Sequence, residues 1–145
     1  MVGLNGTFRR AVVALGAAAL LSAPASTQGP LSALGKLEPG LWQLRDLDSG
    51  SGRPEAICVA DPNILMQLQH RNSPCARLVI ASEARAATVH YTCPAHGFGR
   101  TTLKVETSRL VQIETQGIID NFPFAYRAEA RRVGACAVSQ GRGGR

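Results

Sequence analysis

Between residues 88 and 136 polar and apolar side chains alternate through successive short segments, and this stretch holds two of the four cysteines, Cys93 and Cys136. A period of two is the mark of a strand with one face buried and one face wet. In residues 87–93, Val89, Tyr91 and Cys93 share a face. In residues 100–107, Leu103 and Val105 face in while Lys104 and Glu106 face out. In residues 110–117, Val111, Ile113 and Thr115 oppose Gln112, Glu114 and Gln116. In residues 122–132, Phe124, Tyr126, Ala128 and Ala130 oppose Arg127, Glu129 and Arg131. Brief connections and alternating polarity predict an antiparallel sheet.

Three further strands are predicted upstream. Residues 41–47 place Trp42 and Leu44 inward, residues 55–60 end in Cys58-Val59, and residues 77–82 form the third. Residues 48–54 are a Gly/Ser/Pro loop, and residues 83–86 a turn. Asp61 is suited to an N-cap and Pro62 to a first helical position. Ile64, Leu65 and Leu68 recur at helical spacing, so a helix is predicted over residues 62–71, stopped by Asn72-Ser73-Pro74. The fold class is α+β: a mostly meandering antiparallel sheet of about seven strands, with one short helix after the second strand and two disulfides.

The start of the chain has a different character. Arg9 and Arg10 precede an eleven-residue apolar run at residues 11–21, and Ala23-Pro24-Ala25 follows. That order predicts a cleavable secretory signal peptide over residues 1–25. The run is too short for a bilayer span, which needs roughly 20 apolar residues. Residues 26–38 are expected to be a flexible leader, residues 39–137 a single globular domain, and residues 138–145 a disordered tail. The chain is therefore expected to be periplasmic or secreted, and not membrane-spanning once cleaved.

An even cysteine set after an export signal reads as paired, because exported space is oxidising. Cys58, Cys75, Cys93 and Cys136 allow three pairings. The expected one is Cys58–Cys75, clamping the helix, with Cys93–Cys136, whose strands share a face by parity.

The residues also carry a resemblance. Gly40-Leu41-Trp42, the order Cys58, Cys75, Cys93 with Tyr91 two residues before the third, and the closing Gly134-Ala135-Cys136 resemble the bacterial exported domain of unknown function 3617 family (DUF3617). The family often has a tryptophan beside its last Gly-x-Cys, where this chain has Arg132 and Val133. The resemblance implies an exported domain, as a divergent member, and brings no activity with it.

Chemistry-bearing motifs are few. His90, Cys93 and His96 lie within seven residues, but strand parity turns His90 and Cys93 to opposite faces, leaving His90 and His96 as a weak metal alternative. No Cys-x-x-Cys, Gly-x-Ser-x-Gly, P-loop or dinucleotide fingerprint occurs, and no cofactor is implied. Removing Arg9 and Arg10 from the 16 basic residues leaves 14 against 10 acidic ones. The arginines are scattered without interleaved aromatics, so nucleic acid is not an expected partner. What fits is a non-catalytic envelope domain that binds a protein or small ligand. Its alternatives are a carrier holding a hydrophobic or lipid-like ligand under the sheet, and an enzyme of unknown type. The expected contact loop is residues 94–100, through His96, Phe98 and Arg100, with Asp120-Asn121-Phe122-Pro123 as a second surface.

Overall fold

The computed structural model describes residues 30–50 and 52–137. The predicted signal peptide and C-terminal tail lie outside the described residues. Seven strands form one antiparallel sheet: β1 (Gly40–Asp46), β2 (Glu55–Val59), β3 (Ala76–Ser82), β4 (Ala86–Cys93), β5 (Gly97–Thr107), β6 (Leu110–Ile119) and β7 (Phe122–Gly134). Their spatial order is β2-β1-β7-β6-β5-β4-β3. Strands β3 to β7 are a meander, and the first hairpin is appended to its last strand.

The predicted alternation sorts the two faces as expected. Trp42, Leu44, Val89, Tyr91, Leu103, Val105, Val111, Ile113, Ala128 and Ala130 are buried on one face. Over that face lie a 3₁₀ turn at Leu34–Lys36 and a 3₁₀ segment at Pro62–His70. Leu65 and Met66 of the longer segment are fully enclosed. The opposite face has no cover among the described residues.

The segment over Pro62–His70 begins as predicted. The Asp61 carboxylate accepts from the Asn63 N–H at 2.9 Å, and Pro62 occupies the first turn. It is, however, a 3₁₀ coil broken at Gln67, where φ is −141° and ψ is 47°. The Gln67 amide donates to the carbonyls of His70 and Ser73, and its oxygen accepts from Arg77 of β3. A side chain so engaged takes the place of a helical continuation, and the segment is anchored to the sheet edge instead.

The leader is also corrected. Leu31, Ala33, Leu34 and Leu37 are buried, and the Ser32 hydroxyl donates to the Glu83 carbonyl at 2.9 Å. Residues 31–37 close one end of the core, which removes apolar surface from water that a flexible segment would leave exposed.

The disulfides are Cys58–Cys136 and Cys75–Cys93, not the expected Cys58–Cys75 and Cys93–Cys136. Strand order decides this. β4, which carries Cys93, lies three strands from β7, roughly 14 Å at ordinary strand spacing. A disulfide needs Cα atoms within about 7 Å. Cys58 lies in β2 and Cys75 immediately precedes β3, the two strands at opposite edges of the sheet. By contrast, Ala76 pairs with Thr92, so Cys75 and Cys93 are the next neighbours across the same ladder, with Cα atoms 4.2 Å apart. Leu41 pairs with both Cys58 and Gly134, which brings Cys136 to Cys58 across one strand.

Candidate functional site: the open face of the sheet

The predicted contact residues do not form one loop. Gly97, Phe98, Gly99 and Arg100 belong to β5 and pair with Cys93, Thr92, Tyr91 and His90. The glycines fall on the covered side of that ladder. A Cβ on Gly99 would overlap the Tyr91 hydroxyl, and one on Gly117, its partner on β6, would overlap the Phe98 carbonyl. These two glycines let the neighbouring chains approach more closely than any side chain would permit.

The space above them is occupied by a closed polar group. The His70 ring stands edge-on to Tyr91, with centroids 5.3 Å apart, and also meets Phe124. His70 Nε2 lies 3.0 Å from the His96 carbonyl, which can only accept, so Nε2 carries the proton. Nδ1, the other ring nitrogen, lies 3.3 Å from the Tyr91 hydroxyl. The Thr101 and Thr115 hydroxyls bond each other at 2.8 Å alongside. All four residues are buried, and the group ties the β4–β5 turn to the 3₁₀ segment.

Burial, with some help from the charge of Tyr126, pushes the Tyr91 phenol up to about 12, against hydrogen bonds from Thr115 and Thr101 that pull the other way. Burial also raises Tyr126, the other tyrosine of the chain. A phenol whose pKa rises on folding contributes stability in full below its unfolded value near 10, and loses it as pH climbs toward 12. Native protein is therefore expected to develop phenolate absorbance well above pH 10, and denatured protein near 10. A native titration that coincides with the denatured one would contradict the packing described for both rings.

Phe98 and Arg100 point the other way, onto the open face. Paired residues of neighbouring strands share a face. One row across the sheet is therefore Leu78, His90, Arg100, Gln116 and Ala125. The adjacent row toward the hairpin ends is Thr92, Phe98, Ile118 and Pro123. The next row inward is Thr88, Thr102, Glu114 and Arg127. His90 and Phe98 meet with ring centroids 5.8 Å apart. Leu78 and Ile80 on β3 and Phe98 on β5 remain 52%, 47% and 45% exposed, and His90 of β4 lies between Leu78 and Arg100 in its row.

Around His90, Phe98, Arg100, Gln116, Ile118, Phe124 and Ala125 lies a shallow cleft of about 420 Å³. Three arginines farther along the face are held by carboxylates. Arg127 binds Asp48 at 2.7 Å, and Arg45 and Arg131 both reach Glu129. Hydrogen bonds from Arg127 hold the Asp48 carboxyl below its ordinary value.

His96 is not in the cleft. It occupies the β4–β5 turn, where Nδ1 lies 3.2 Å from Asp120 Oδ1. It does not join His90 in a metal set, and among the described residues no group of three His, Cys, Asp or Glu is placed to hold an ion. Phe122 is 72% exposed beyond the two-residue turn of Asp120 and Asn121, both at positive φ as this tight hairpin requires. The residues that sequence reasoning missed are His90 as a partner of Phe98, together with Gln116, Ile118 and Leu78. The alternation had marked Gln116 as outward-facing, but nothing local places it beside Arg100.

No helix among the described residues is long and apolar enough to cross a membrane. Comparison with protein-family models, with curated proteins and with solved structures found no match to this chain.

Proposed function

We propose that this chain is an exported, disulfide-stapled, non-catalytic binding domain that works through the open face of its sheet. The observation that carries the reading is the cleft itself, with Phe98 exposed at its wall against the His90 ring and Leu78 exposed in the same row as His90 and Arg100. On the covered face Trp42, Leu65, Met66, Tyr91 and Leu103 are enclosed and fill the space between sheet and cover. A hydrophobic ligand held under the sheet would have to displace them, which leaves the open face as the surface on offer. The buried His70–Tyr91 group is sealed from solvent and braces the turn that carries His96. Two disulfides, the apolar run at residues 11–21 and the resemblance to DUF3617 support periplasmic or secreted residence.

The test is site-specific photo-crosslinking in the native envelope, with the reactive group at Phe98 or, as control, at Arg53 in the β1–β2 loop. Adducts are expected from position 98 and few from position 53, and Arg100→Ala is expected to weaken those from 98. Equal labelling at both positions would sink the assignment of the face.

A further inference from the structure

We infer that the cleft at His90, Phe98 and Arg100 binds an amphipathic carboxylate, a single anionic head on an unbranched apolar tail of the fatty-acid type. This rests on the open face being the working surface and names the chemistry it takes.

Charge supplies the first argument. Arg45, Arg127 and Arg131 on the same face are each held by a carboxylate. The Arg100 side chain has no hydrogen bond or ion pair among the described residues. Its diagonal neighbour Glu114 stands directly opposite Arg127, whose charge it supports. Arg100 is thus a cation without a counterion at the rim of an apolar cleft. A guanidinium takes a carboxylate through two parallel hydrogen bonds, a geometry that a neutral head cannot match.

Register supplies the second. His90, Arg100 and Gln116 form one row across three strands, and Phe98 and Ile118 form the next. A polar stripe therefore borders an apolar stripe one side-chain step away, and Pro123 of β7 continues the apolar one beside Ile118. A ligand laid across the two rows needs an anionic end and an apolar remainder. The cleft, at about 420 Å³, lies within the range of small-molecule sites.

The third argument separates such a ligand from a peptide. Along residues 122–127 β7 is in a ladder with β6 alone, but the floor of the cleft at His90, Phe98, Arg100, Gln116 and Ile118 lies on β4 to β6, each in ladders on both sides. Only side chains offer hydrogen bonds there: the Arg100 guanidinium, the Gln116 amide and the His90 ring. A peptide would bring its own amides to a surface with no backbone partners, and would leave them unpaired at a cost of about 1–3 kcal/mol each. An alkyl chain brings none.

The experiment measures binding of dodecanoate and of dodecanol to the oxidised mature protein, below the micellar range, by calorimetry. Dodecanoate is expected to bind at one site per chain, at least tenfold tighter than dodecanol. Arg100→Gln is expected to weaken dodecanoate tenfold or more and to leave dodecanol unchanged. Phe98→Ala is expected to weaken both. Lys104→Gln removes the same charge from the same face outside the cleft, and is expected to change neither. All three positions are exposed, and near-ultraviolet circular dichroism checks that the variants are folded. Equal affinity for the two ligands, or dodecanoate binding unaffected by Arg100→Gln, would overturn the inference. So would absence of dodecanoate binding. In that case, crosslinking from position 98 that persists refutes the ligand class alone, and its loss refutes the open-face reading as well.

Discussion

Replacing Cys58 and Cys136 together by serine is expected to lower the unfolding free energy by about 4 kcal/mol. The bridge spans 78 residues of sequence, and in the chain-entropy model a closed loop of that size restricts the denatured state by about 4.5 kcal/mol. Cys58 is exposed and Cys136 half-buried, so the substitution leaves no cavity and the loss acts mainly through the unfolded chain. Denaturant unfolding should then show a steeper dependence on denaturant, because the unlinked chain exposes more surface. The Cys75–Cys93 bridge spans 18 residues, for which the same model gives about 3 kcal/mol. Cys93 is enclosed, so mild reductant is expected to open Cys58–Cys136 first. Thiol mapping during partial reduction reads this directly, and prior loss of Cys75–Cys93 would contradict the described burial.

Gly117→Ala is expected to cost about 3 kcal/mol, and Gly99→Ala somewhat less. Elsewhere an alanine in a strand gains about 0.5–1 kcal/mol over glycine. At position 117 the added methyl meets the Phe98 carbonyl, a backbone atom held in the β5–β6 ladder, and also approaches the Phe124 ring. Relief requires the two strands to separate, and overpacking of a fixed backbone costs up to about 3 kcal/mol. At position 99 the obstacle is the Tyr91 ring, which can move only by surrendering its bond to His70. Chemical denaturation of the two variants decides the matter. A stabilised Gly117→Ala protein would show that the strands are not so close.

The strands and their inward faces were legible because alternation is local. Trp42, Val89, Tyr91, Leu103 and Ile113 could be assigned by parity alone. The disulfides were not, since they depend on β7 lying beside β1, a relation between residues about ninety positions apart that leaves no pattern in either segment. The short helix after β2 was legible, but its 3₁₀ geometry was not, because Ile64, Leu65 and Leu68 suit a period of 3 as well as 3.6. The leader hid its burial in a Gly/Pro/Ser composition, yet Leu31, Leu34 and Leu37 recur every third residue. Phe98 and Arg100 passed for loop residues because Gly97 and Gly99 flank them. The glycines are on the covered side, so the alternation ran through that stretch with no side chain to display it.

The junction of β1 with β7 also orders events in time. Hairpins between consecutive strands can form from β3 through β7 as each turn closes, since every pairing there is with the next segment of chain. The first hairpin cannot join them until residues 128–134 have been made and zipped onto β6. A chain emerging from its N-terminus therefore carries Trp42 unsheltered through nearly all of its synthesis and closes around it last. Tryptophan emission, from the single such residue in the chain, reports that final closure and not the earlier growth of the meander.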